Sequence, residues 1–138
     1  MRLTVAAVLL AVVALLPAAA FAGGGDFGLG VGNEYGCGVG VNWEFKTSGQ
    51  IAPTLGASLF GVSGGANYYF TDEKKNGSPR GWRAQLLLGL NWYELVNLSL
   101  TAGQRSGNWD WGVGVRGGAT TAYFGIPVYP EVSWGYRF

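Results

Sequence analysis

The chain has 138 residues, 49% hydrophobic and 12% charged, with 25 Gly, one Cys and no His. That is one domain's worth of chain, too apolar and aromatic to be disordered. A net charge of +1 gives no basic footprint for nucleic acid, and one Cys without His excludes a disulfide framework and a multi-Cys or His-based zinc site.

The first element is an expected secretory signal peptide at residues 1–22. Arg2 supplies the positive start and Leu3 to Leu16 the apolar run. Pro17 breaks the run, and Ala20-Phe21-Ala22 reads as a small-x-small cleavage site before Gly23. The run is short for a spanning helix, and small residues rather than basic ones follow it. Residues 23–138 are then the mature domain.

From Phe27 onward apolar residues recur at every second position. Phe27, Leu29 and Val31 alternate with glycines, and Val39, Val41, Trp43 and Phe45 with Gly40, Asn42 and Glu44. Trp82, Ala84, Leu86, Leu88 and Leu90 follow the same period, as do Trp109, Trp111, Val113 and Val115. Successive side chains on a strand point to opposite faces, so these are strands with one apolar face. Turn signals at 33–36, 47–50, 61, 72–79, 93–94 and 103–108 divide the domain. The expected strands are 26–33, 36–46, 51–60, 62–71, 81–91, 94–103, 109–119 and 126–138. Eight strands of about ten residues each match the length that crosses a bilayer at a tilt.

The aromatic residues gather toward strand ends: Trp43 with Phe45, Tyr68-Tyr69-Phe70, Trp82, Trp92-Tyr93, Trp109 with Trp111, and Trp134 with Tyr136. Strand centres carry Val, Leu and Ala. An aliphatic band between aromatic girdles is the outside of a membrane barrel, and lipid forbids an open sheet edge. The expected fold is all-β: an antiparallel up-and-down transmembrane β-barrel of eight strands behind a cleaved signal peptide.

Two registers remain open. A hairpin at Asn33 to Gly36 puts the charged connection 72–80 at the same end as the termini. One long strand from Phe27 to Phe45, with a hairpin near Gly117-Gly118, puts it at the opposite end.

The last strand, Val132-Ser133-Trp134-Gly135-Tyr136-Arg137-Phe138, resembles the terminal signature of bacterial outer-membrane β-barrel proteins. The match is carried by Val132, Trp134, Tyr136 and Phe138. The whole resembles the small eight-stranded members of that class. The resemblance implies the cell outer membrane, insertion by the barrel assembly machinery, and lipid bilayer and lipopolysaccharide as surroundings. It implies no cofactor and no specific ligand.

Three groups of polar residues call for a role. Glu44, Arg83, Asp110, Arg116, Glu131 and Arg137 fall on the inward face and are expected to fill the lumen as ion pairs, Arg116 with Glu131. The alternative is a narrow channel for ions or small solutes. Lys74, Lys75 and Arg80 lie in the connection 72–80, a candidate surface loop. Gly112-Val113-Gly114-Val115-Arg116-Gly117 spells a dinucleotide motif but opens no helix. No His stands beside Ser58, Ser63, Ser99 or Ser133, so no enzyme is expected. The function expected is a structural or surface-interaction role with a plugged lumen. Besides the channel, a soluble periplasmic lipid-binding barrel with inward apolar side chains is the other alternative.

Overall fold

The computed structural model describes residues 25–75, 78–119 and 127–138. The expected signal peptide and its cleavage after Ala22 lie outside them. The domain is a closed antiparallel barrel of eight strands: β1 Gly25–Gly32, β2 Gly38–Phe45, β3 Ile51–Ser58, β4 Gly61–Tyr69, β5 Gly81–Asn91, β6 Val96–Ser106, β7 Trp109–Ala119 and β8 Val128–Arg137. Each strand pairs with its sequence neighbours, and β1 closes on β8 through Leu29 opposite Tyr136 and Val31 opposite Trp134. Closure leaves no ladder edge unpaired, the liability of every open sheet.

Turn chemistry sets the register. Asn33–Tyr35 form one turn of 3₁₀ helix after β1, and Gly36 (φ 79°) and Cys37 (φ 68°) then take left-handed backbone to reverse the chain. Gly32 pairs with Gly38 across the reversal. The first of the two registers is therefore the observed one, and the long strand 27–45 is not formed. Its consequence holds too: Gly25, Phe138 and the connections 46–50, 70–80 and 107–108 share one end, here the terminal end. The 3₁₀ turn and the connections after β3 and β5 mark the far end. Within the connection between β4 and β5, Lys74–Lys75 pair with Ser78–Pro79 in a short two-stranded ribbon.

The period-two alternation becomes an inside-out distribution. Leu86, Leu88, Leu98, Leu100, Val113, Val115 and Val132 point outward and are about half exposed. Asn67, Arg83, Gln85, Ser99, Thr101, Arg105, Asp110, Ser133 and Arg137 point inward and are buried. Aromatic rings crowd the outer face near the terminal end, where Trp109 stacks on Trp134 (5.0 Å) and Trp82 meets Trp111 edge-on (5.8 Å). The far end carries Phe60, stacked with Tyr93 at 6.4 Å, and Trp92. Tyr69 departs from the expected girdle. It is fully buried in the lumen, because it is one step out of phase with Tyr68 and Phe70.

Candidate functional site

The site is the lumen, and its floor is a charge layer near the terminal end. Strands β5, β6, β7 and β8 each aim one ionised side chain at the axis: Arg83, Arg105, Asp110 and Arg137. Asp110 is the hub. It accepts from Arg83 Nη2 (2.7 Å), Arg105 Nη2 (2.9 Å) and Arg137 Nε (3.2 Å). Glu44 on β2 accepts from Arg105 Nη1 (2.5 Å), from the Tyr69 hydroxyl (2.9 Å) and from the Asn67 amide. Tyr69 also lies under the Arg105 guanidinium at 5.4 Å. At the mouth, Arg80 pairs with Asp26 at 3.2 Å. Charges removed from water persist only when paired, and each charge of this layer and of the Arg80–Asp26 mouth has an ion-pair partner.

The second part of the site is the 3₁₀ turn, which folds into the barrel rather than over it. Asn33, Glu34 and Tyr35 are at most 1% exposed. Glu34 reaches the charge layer and bridges two strands, accepting from Arg83 Nη2 (2.6 Å) and Arg137 Nη2 (2.8 Å). Several of the turn's polar groups are met by the wall, while the buried Tyr35 hydroxyl has no partner among the described residues. Asn42 donates to the Glu34 carbonyl (2.8 Å), Ser58 to the Gly36 carbonyl (2.6 Å), and Asn33 N–H to Glu131 Oε1 (3.0 Å). Asn33 Nδ2 donates to Asn97 Oδ1 (2.8 Å). A buried backbone needs such partners, and the wall provides them where a strand would have used a ladder.

Glycine makes the room. A Cβ at Gly30 or Gly135 would run into the Tyr35 ring, and one at Gly40 or Gly56 into the carbonyls of Tyr35 and Glu34. The inward glycines of β1, β2, β3 and β8 are thus the socket of the turn. Gly135→Ala is expected to cost about 1–3 kcal/mol by overpacking. In a Tyr35→Ala background the same change should cost clearly less, read from urea midpoints. Additive costs in that cycle would show that the ring and the glycine do not share the space.

No family model, curated protein or solved structure matches the chain. The site's meaning therefore rests on its geometry.

Of the expected lumen charges, Glu44, Arg83, Asp110 and Arg137 meet in the layer. Arg116 and Glu131 sit apart, toward the far end. The expected Arg116–Glu131 pair is not among the ion pairs of the described residues. Arg116 Nε lies 3.5 Å from Glu94, which follows β5, and Glu131 is engaged by the turn. Tyr129 rather than Glu131 stands opposite Arg116 in the register, which explains the mispairing. Cys37, Asn91, Tyr93, Glu94, Arg116 and Tyr129 line an open cleft of about 230 Å³ at this mouth. Burial pushes the pKa of the Cys37 thiol up, so it stays protonated, and it donates to Asn33 Oδ1 (2.8 Å).

The expected surface loop is corrected at one residue. Lys74 and Lys75 are exposed, and Lys74 Nζ caps the Ser48 carbonyl at 3.0 Å. Arg80 is buried and committed to Asp26, so it is no surface cation. Val132, Trp134, Tyr136 and Phe138 all lie on the outer face, with Tyr136 edge-on to both Trp109 and Phe138. Sequence reasoning missed Asp26, Glu34, Tyr69 and Arg105 as lumen groups. For Arg105 the signal was there: Asn97, Ser99, Thr101 and Gly103 set an inward phase that runs through residue 105.

Proposed function

We propose that the chain is a small barrel of the bacterial cell outer membrane, with a plugged lumen and a structural or surface-interaction role. The observation that carries this reading is the inside-out distribution of side chains. Large apolar residues cover the outer face, while among the described residues the inward face is polar apart from glycines, Ala52, Leu87, Cys37 and the tyrosines. A water-soluble barrel would leave that outer surface as one contiguous apolar belt, far beyond what soluble monomers expose. At about 3.3 Å per residue and a tilt of about 40°, the stretch from Trp82 to Trp92 rises about 25 Å along the axis, the height of an outer-membrane apolar band. A lipid-binding barrel needs an apolar interior, and the packed charge layer offers none.

In this reading the lipid bilayer covers the belt, with lipopolysaccharide in its outer leaflet, and the barrel assembly machinery takes up the last strand through Val132, Trp134, Tyr136 and Phe138. The terminal end faces the periplasm, so Lys74 and Lys75 do too. Contact with lipopolysaccharide then falls to the far end, where Leu59, Phe60, Trp92 and Tyr93 are exposed. No catalysis, cofactor or nucleic acid belongs to the proposal.

Expression of the precursor in a Gram-negative host tests it. The protein is expected to float with outer-membrane vesicles and to migrate differently on a gel with and without boiling. A soluble periplasmic band with one mobility would overturn the reading.

A further inference from the structure

The cleft at the far mouth is shaped by the connection between β5 and β6. Asn91 Oδ1 accepts from the N–H groups of Tyr93 (2.8 Å) and Glu94 (2.7 Å), a side-chain turn that reverses the chain. The Asn91 amide donates to Glu94 Oε2 (3.0 Å) and so fixes the carboxylate at the cleft. Gly118 on β7 makes the room, because a Cβ there would lie 2.6 Å from the Glu94 carboxyl. Glu94 is thus buried in the wall and yet lines the cleft.

The cation beside it differs from the other arginines of the barrel. Arg80, Arg83, Arg105 and Arg137 each donate to a carboxylate within 3.2 Å. Arg116 Nε lies 3.5 Å from Glu94 Oε2 and has no hydrogen-bond partner among the described residues, and its side chain is 27% exposed. Glu94 and Arg116 therefore line the cleft as adjacent opposite charges joined only by a long contact. A lone cation placed there meets Arg116, and a lone anion meets Glu94, so each is opposed by a like charge. A molecule with both charges separated by a single carbon matches the pair. Its ammonium donates to Glu94 and its carboxylate accepts from Arg116, and both bonds are charge-assisted. Tyr93 and Tyr129 supply the rest of the wall, an amphipathic surface for an apolar side chain. The volume of about 230 Å³ falls below the roughly 300–1,000 Å³ of sites for drug-sized ligands, which restricts the occupant to a small molecule.

We propose that this cleft binds a free α-amino acid with a small or apolar side chain, Glu94 taking the ammonium and Arg116 the carboxylate. The site requires no passage through the barrel and no movement of the 3₁₀ turn. It stands on the geometry of the mouth and holds whatever medium surrounds the outer face. In the membrane reading above, the cleft opens at the cell surface.

The test is a calorimetric titration of the folded barrel, its β-structure checked by circular dichroism, with four probes. L-leucine carries both charges, L-leucinamide only the ammonium and N-acetyl-L-leucine only the carboxylate. O-phosphoethanolamine is a zwitterion with its charges further apart. L-leucine is expected to bind at least about tenfold more tightly than each of the other three, since each loses or misplaces one charged hydrogen bond. Glu94→Gln and Arg116→Gln are each expected to weaken L-leucine at least about tenfold, while Lys74→Gln leaves it unchanged. If a variant fails to fold, the four probes on the wild type decide alone. Equal binding of L-leucinamide would make the cleft a cation site, and equal binding of N-acetyl-L-leucine an anion site; either overturns the proposal. Tighter binding of O-phosphoethanolamine would assign it to lipid head groups and overturn the amino acid. No binding of L-leucine at millimolar concentration would overturn the site itself. Flotation and gel mobility test the membrane reading separately, so either conclusion can fail while the other stands.

Discussion

Replacing Asp110 by alanine is expected to destabilise the barrel by about 3–5 kcal/mol, the range for removing one partner of a buried ion network. The carboxylate receives hydrogen bonds from three arginines on three different strands. Each of those arginines is at most 1% exposed, so water cannot replace the lost partner. Without Asp110, Arg83, Arg105 and Arg137 keep Glu34 and Glu44, and Asp26, 3.7 Å from Arg105, already pairs with Arg80, so one charge is left uncompensated where its desolvation cost is largest. Urea unfolding of the refolded protein in detergent micelles or vesicles measures the change. Glu131→Gln is the control. Glu131 takes one backbone hydrogen bond from Asn33, and its Oε2 has no partner among the described residues. Its cost should stay within about 1 kcal/mol, that of one ordinary hydrogen bond. Equal costs at the two positions would mean that the charge layer is hydrated and that pairing does not hold it together.

The contrast between these two carboxylates also shows what the sequence could and could not reveal. Alternation placed Glu44, Arg83, Asp110 and Arg137 inward, because a strand has only two faces and the apolar one was plain. It placed Glu131 inward as well, but a face is not a height. Which charges share a level depends on the stagger between strands, and the register of β7 with β8 sets Tyr129, not Glu131, against Arg116. The same limit hid Arg80 and Asp26, which belong to a mouth formed by a connection and a first strand far apart in the chain. Glu34 and Tyr35 were hidden for another reason. Asn-Glu-Tyr-Gly is turn chemistry, and a turn between strands is ordinarily solvated. The clue to its inward path was the run of glycines on the inner face of β1, β2 and β8, legible as small residues in a narrow barrel but not as a socket for one particular loop. Tyr69 shows the limit of grouping by composition: Tyr68-Tyr69-Phe70 looks like one girdle patch, yet period two sends its middle member to Glu44.

Leu88→Arg is expected to separate lipid from water as the surroundings of the outer face. Leu88 stands near the middle of β5, points outward, and lies between Gly64 on β4 and Leu98 on β6. An arginine there changes no lumen contact and no ladder bond, so its effect reports the medium outside. In a bilayer the guanidinium would sit near the midplane and cost about 2–4 kcal/mol, falling to about 0–1 kcal/mol near the interface. Val96→Arg supplies the interfacial reference, because Val96 is also outward but opens β6 beside Trp92 and Tyr93. In water neither change buries a charge, and both should fall within about 0.5 kcal/mol of zero. Equilibrium folding into phospholipid vesicles across a denaturant series reads the two costs on one scale. A large cost at residue 88 with a small one at residue 96 follows from the membrane reading, since only depth distinguishes the two positions. Equal and small costs would remove lipid from the outer face, and the aromatic belt would then have to be buried by protein.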